Sequence, residues 1–232
     1  MSPLHQAYDE LWQRALGTYQ QGMVVLDPVL PDKSQDTRRG LTLKCKLPAA
    51  AQAAIQDFLH EFDEVCPGQY LYPSSDLHLT ILTIISCQAD FELAQSRWEE
   101  YWALIQAAIA DLPAFRMAFH GITASPSCVL AQGFPLGEGL ELLRNRIRAA
   151  FSASHLPHTI DKRYFLNTAH STIVRYTEAP QDLKATVQFL EKQRKRPLGM
   201  GKIQEIEFVC TDWYMSEGIV TELASWPLNG KG

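Results

Sequence analysis

Two stretches of this 232-residue chain set a histidine two residues before a threonine inside an otherwise apolar run. The first is His78 and Thr80 in SSDLHLTILTII (74–85), and the second is His170 and Thr172 in LNTAHSTIVRYT (166–177). Side chains alternate along a strand, so His78 and Thr80 share one face while Leu77, Leu79 and Ile81 take the other. In the same way His170 and Thr172 lie opposite Ala169, Ser171 and Ile173. One His-x-Thr arises readily by chance in a chain with seven histidines. Two, each in a strand-like run and at matching points of the chain, are far less easily accidental.

Two such polar islands facing each other would hold a phosphate between two proton-transfer groups. One imidazole takes the proton of an attacking water, and the other protonates the leaving ribose oxygen. Free imidazoles titrate near pH 6.5, so one can be neutral while the other is charged. The threonine hydroxyls donate to the non-bridging oxygens, where charge builds up. This is the chemistry of opening a cyclic phosphodiester, and it needs no metal. A bound phosphate is expected between the motifs, within reach of Thr80 and Thr172.

The elements that must position these residues follow from periodicity. A helix is expected over 5–21, then a Pro-containing loop and the strand LTLKCKL. PAAAQAAIQDFLHEF puts Ile55, Phe58, Leu59 and Phe62 on one helical face. The first His-x-Thr strand runs to about Cys87. A helix follows with Trp98, Trp102, Ile105 and Ile109 on a stripe, then a hairpin, AFRMAFHGIT and SCVLAQGF, turning at ASPS. A helix over 138–152 precedes the second His-x-Thr strand, 164–176. A helix bounded by Pro180 and Pro197 and a closing strand pair complete the chain. Each half therefore reads helix, His-x-Thr strand, helix, strand, turn, strand. Two α+β lobes facing one cleft are expected, with the His78 and His170 strands central in their sheets.

Composition narrows the partners. The chain is 46% hydrophobic and 20% charged, with a net charge of −5, which suits a globular domain. A protein that neutralises many phosphates of a long duplex is usually basic, so a small nucleotide or an RNA end is the expected partner. Five cysteines, odd in number and without a C-x-x-C pair, argue for reduced thiols in a cytoplasmic protein. The N-terminus does not read as a secretory signal, and no apolar run approaches the roughly 20 residues of a membrane span. A monomer without cofactor or metal is expected.

The motifs HLTI (78–81) and HSTI (170–173) resemble those of the two-histidine (2H) phosphoesterase superfamily, whose pattern is His-Φ-Thr/Ser-Φ twice, with Φ apolar. That superfamily includes RNA 2',3'-cyclic phosphodiesterases and 2'-5' RNA ligase-like proteins. The resemblance covers roughly residues 40–228. It implies a bilobal α+β fold, two pseudo-symmetric lobes of antiparallel sheet with helices outside and a cleft between. It also implies metal-independent catalysis by His78 and His170, with Thr80 and Thr172 binding the phosphate. Ser171 departs from the pattern, which usually has an apolar residue there. Residues 1–39 fall outside the resemblance and read as a helix and extended cap. Besides a phosphodiesterase, a module that binds a nucleotide without turnover and a metal-dependent hydrolase using both histidines are open readings.

Other residues are weighed by position. Tyr72, Tyr164, Arg163 and Tyr176 are candidate substrate contacts, Tyr72 and Tyr164 as base-stacking platforms. Tyr176 has the parity of His170 and Arg175 the opposite, so Arg175 is expected on the back of the strand. The run KQRKR (192–196), Arg144 and Arg148 read as solvated helix cations before nucleic-acid contacts. His155 and His158 lack companions at metal-ligand spacing, and His60 and His120 are isolated.

Overall fold

A computed structural model describes residues 2–228. LTLKC and its neighbours form the strand β1 (Arg39–Lys46), which pairs antiparallel on one side with β3 (His78–Gln88) and on the other with β8 (Glu205–Thr211). The strand β9 (Thr221–Pro227) closes this four-stranded sheet in the order β3-β1-β8-β9. The second sheet has five strands: β2 (Tyr70–Leu71), β6 (Ser171–Arg175), β5 (Cys128–Leu136), β4 (Phe115–Ser125) and β7 (Pro197–Ile203). The lobes are thus interleaved. The hairpin β4–β5 of the first half supports the His170 strand, and the closing pair β8–β9 joins the His78 sheet.

The helices follow their apolar stripes. In α1 (Pro3–Tyr19), begun by Ser2 as N-cap, Tyr8, Trp12, Ala15 and Tyr19 are buried, and the helix packs on β4. In α2 (Ala49–Val65) the stripe Ile55, Phe58, Leu59, Phe62 is buried, and Phe58 and Phe62 meet Phe189 of α5 (Leu183–Lys192). The helix α4 (Gly139–Ser152) buries Leu140, Leu143, Ile147 and Phe151. In α3 (Trp98–Ile109) the buried stripe is Tyr101, Ile105 and Ile109, while Trp102 is exposed. Of the expected stripe, Ile105 and Ile109 are buried and Trp98 packs against the core, while Tyr101 takes the inward place expected of Trp102.

Two expectations about the sheets are corrected. β3 is an edge strand, not a central one, and β6 has only the two-residue β2 outside it. An open edge leaves carbonyls without a ladder partner. Here Arg144 of α4 supplies one, its Nε donating to the Ile81 carbonyl (2.9 Å) and its Nη2 to that of Thr80 (3.0 Å). Thr159 N–H serves Ile84 further along (2.8 Å). Arg144 is therefore a buried edge cap and not a solvated cation. The strand β7 in PLGMGKI has no alternating pattern to announce it; with Pro197 at its start and two glycines it fits only an edge.

Candidate functional site

β3 is regular enough at its start for parity to hold. His78 and Thr80 are half-buried and line the cleft, while Leu79 and Ile81 are wholly buried behind them. Lys44 lies opposite Thr80 in register and is ion-paired with buried Glu207. On the other lobe, residues 164–170 run without regular secondary structure, and the ladder begins only at Ser171. His170 and Thr172 nonetheless face the same cleft, of about 660 Å³, as His78 and Thr80.

Between Thr172 and Val174 the β5–β6 register shifts: Leu130 pairs with Thr172 but Val129 pairs with Val174. Ile173 is the extra residue of this bulge, and a bulge reverses the alternation beyond it. Arg175 consequently joins His170 and Thr172 at the cleft, and Tyr176 turns into the core, fully buried, with its hydroxyl 3.0 Å from that of Tyr19. Both expectations for these residues are overturned for this one reason. Arg175 is held by Tyr72, whose hydroxyl accepts from its Nε at 2.9 Å. Tyr72 is buried, so it supports Arg175 and offers no stacking face.

The mouth of the cleft is aromatic and cationic. Arg163 lies 5.1 Å from the centre of the Trp213 ring, and Arg38, locked onto Asp36 by two bonds of 2.8 and 2.7 Å, lies 5.4 Å from it. Tyr164 is 60% exposed on the same rim. Sequence reasoning misses Trp213, because nothing in TDWY marks it. The other candidate cations are occupied elsewhere: Arg148 binds Asp161 and the Leu166 carbonyl, Arg194 binds Asp9 at 2.5 Å, and Arg196 makes a fork with Glu61. Within the run 192–196 the two arginines are tertiary ties, while Lys192 and Lys195 are exposed as a solvated helix end would have them. His158 packs against Phe151, and among the described residues no three His, Cys, Asp or Glu side chains converge to hold a metal ion.

The imidazoles do not titrate near neutrality in this cleft. Burial, reinforced by Lys44 and Arg175, pushes His78 down to about 4, against a hydrogen bond to Asp76 that raises it. Burial also brings His170 to about 4, with Arg144, His78 and Arg175 adding to the effect. Their second nitrogens differ. His78 Nδ1 lies 2.7 Å from the Asp76 carbonyl, which can only accept, so in the neutral ring the proton is on Nδ1 and Nε2 is bare. His170 Nδ1 meets the Thr168 hydroxyl at 2.9 Å, a partner able to donate, which permits a proton on Nε2.

No family model matches the sequence, and no curated protein does. Solved structures do. The protein TT0787 of Thermus thermophilus matches at 21% identity and TM-score 0.59, over 84% of this chain and 100% of that one. E. coli LigT in complex with 3'-AMP matches at 17% identity and TM-score 0.56, over 83% and 99%. The chain has the LigT fold. TT0787 and LigT belong to the 2H phosphoesterase superfamily, so the α+β architecture that the motifs imply is the one found. A protein described as a phosphoesterase shares it at 18% identity and TM-score 0.53. LigT has also been crystallised with ATP, NADP+ and phosphate.

Among the residues next to the motif histidines and threonines, Leu79, Ile81, Ser171 and Ile173, Ser171 alone is polar. Its hydroxyl is wholly buried and has no hydrogen-bond partner among the described residues. A buried polar group left unpaired costs about 1–3 kcal/mol, so Ser171→Ala is expected to stabilise the protein by about 1 kcal/mol. Urea unfolding would report this as a higher midpoint at unchanged slope; a lower midpoint would show that the hydroxyl is bonded after all.

Proposed function

We propose that this chain is a metal-independent phosphodiesterase acting on a cyclic phosphodiester at a nucleotide or RNA end, or on a 2'-5' linkage. The observation that carries this reading is the pairing of His78 and Thr80 with His170, Thr172 and Arg175 around one cleft. In the hydrolytic direction the bare Nε2 of His78 takes a proton as water oxygen attacks phosphorus. His170, as imidazolium, gives its Nε2 proton to the departing ribose oxygen, so the P–O bond breaks without expelling an alkoxide. The Thr80 and Thr172 hydroxyls donate to the non-bridging oxygens, and Arg175 balances the charge gathered there. Trp213 with Arg163, and Tyr164 beside them, give a base and its neighbouring phosphate a face to rest on. The nucleotides bound in the LigT crystals are ligands of the size this cleft admits.

The test is a turnover screen of nucleoside 2',3'-cyclic phosphates, ADP-ribose 1'',2''-cyclic phosphate and 2'-5' dinucleotides, with EDTA present throughout. Product formation that survives the chelator is the expected result. Tight binding of one of these compounds without product would identify a binding module, and activity restored only by added metal would identify a metal-dependent hydrolase.

A further inference from the structure

We propose that Tyr8, on the N-terminal helix α1, is a positioning residue for His170: its hydroxyl replaces a missing rung of the five-stranded sheet. The β5–β6 ladder ends at Ala131 and Ser171. Two residues further on, Gly133 of β5 and Ala169 of the irregular segment before β6 still face one another closely. A Cβ on Gly133 would come within 2.1 Å of the Ala169 carbonyl oxygen, so only glycine fits there. They make no ladder pair with each other. The Tyr8 hydroxyl sits between them, donating to the Gly133 carbonyl at 2.9 Å and accepting from the Gly133 N–H at 3.2 Å and the Ala169 N–H at 3.0 Å.

A phenol has one proton and two lone pairs, and all three are used here. Tyr8 is 1% exposed, and burial raises its hydroxyl well above the usual range, so the donor stays in place at every working pH. The helix that carries it is itself fixed. The Tyr8 carbonyl accepts from Thr123 of β4 at 3.1 Å, Asp9 is ion-paired with Arg194, and the Tyr8 ring meets Phe134 edge-on at 5.4 Å.

Ala169 is bonded directly to His170, in a segment with no helix or strand to hold it. That segment is tied at Leu166, whose carbonyl accepts from Arg148 and whose N–H donates to Asp161, and at Ala169 by Tyr8. His78 needs no such device, because it lies opposite Lys46 in the β1–β3 register. The N-terminal helix therefore supplies the backbone bond that sets one imidazole and not the other.

The inference rests on the proposed catalytic role of His170, and its test separates the two. In Tyr8→Phe, kcat on nucleoside 2',3'-cyclic phosphates is expected to fall about 10- to 100-fold, the scale of a misplacement near 1 Å, with KM changed less than about twofold. Imidazole NMR titration, which needs no substrate, is expected to show the His170 midpoint moving up toward that of free histidine while His78 keeps its own. Thr123→Val, which loosens the same helix without touching Ala169, is the comparison and is expected to lower thermal stability with both titrations unchanged. In the unaltered protein the Ala169 amide should exchange with solvent as slowly as ladder amides of β6. Rapid exchange at Ala169, or an unshifted His170 in a folded Tyr8→Phe, would overturn the assignment, as would an equal shift in Thr123→Val. Should the His170→Ala protein keep full turnover, the catalytic reading alone fails, and the NMR and exchange results still decide whether Tyr8 positions the ring.

Discussion

His78→Ala and His170→Ala are each expected to lower turnover by about 10²–10⁴-fold, and the double variant to be little worse than either single one. The non-additivity follows from the proposed step. Proton removal from water and proton delivery to the leaving oxygen occur around one phosphorus, and losing either hand leaves the other with nothing to complete. The two defects should differ in kind. Replacing the ribose oxygen by a good leaving group, as in a 4-nitrophenyl phosphodiester, removes the need for protonation. It should therefore restore much of the rate of His170→Ala and little of that of His78→Ala. The difference lies in the second nitrogens: Asp76 offers His78 only a carbonyl, whereas His170 has a hydroxyl beside it. Near-wild-type turnover by either folded single variant would end the acid–base proposal. Rescue of His78→Ala in place of His170→Ala would reverse the roles and leave the chemistry standing.

How much of this site the sequence exposes depends on how local each feature is. The placing of His78 and Thr80 against Leu79 and Ile81 is set within four residues of one strand, and alternation alone predicts it. The same rule holds from His170 to Thr172 and then fails, because the bulge at Ile173 arises from how β6 meets β5 and leaves no mark in STIVRY. Arg175 and Tyr176 exchange sides for that reason. The arginines depart from expectation for a related one. Arg194 finds Asp9, Arg196 finds Glu61 and Arg144 finds the carbonyls of β3, partners that lie far away along the chain. A cation near a helix end looks solvated until the fold delivers its partner. Strand order is likewise a choice among distant partners, so a strongly apolar strand such as β3 reads as central when it is an edge covered by α4 and the Thr159 loop. The helix stripes and the β4–β5 hairpin, whose signals are repeated over ten or more residues, are legible with small shifts. The depth of the cleft is not, and depth decides the charge on the imidazoles.

Between about pH 5 and pH 8, kcat/KM is expected to fall by about tenfold per pH unit. In the proposed reaction the productive protein has one proton on the histidine pair, and kcat/KM reports how much of the free protein is in that state. Free imidazoles near pH 6.5 would give a bell centred close to neutrality. Here burial lowers both rings to about 4, so both limbs of the bell move to acid pH and only the falling limb is seen in the ordinary range. At pH 7 only about one free molecule in 10³ carries the proton. Binding changes the balance, because a phosphate anion between the rings favours the imidazolium that Arg144 and Arg175 disfavour. The complex should take up a proton as it forms, and kcat should hold to higher pH than kcat/KM. Calorimetry in buffers of different ionisation enthalpy measures that uptake directly. The same shifts act on stability, with a definite sign. Below about pH 6.5 the unfolded chain binds protons at these two histidines and the folded chain does not until about pH 4. Stability is therefore full above about 6.5 and is lost as the pH falls toward 4, at up to about 1.4 kcal/mol per unit for each ring. Replacing both with glutamine should flatten that decline. A kcat/KM profile level from about pH 5 to 8, or a bell centred near 6.5, would mean that water reaches the two rings freely and that the cleft does not hold them neutral.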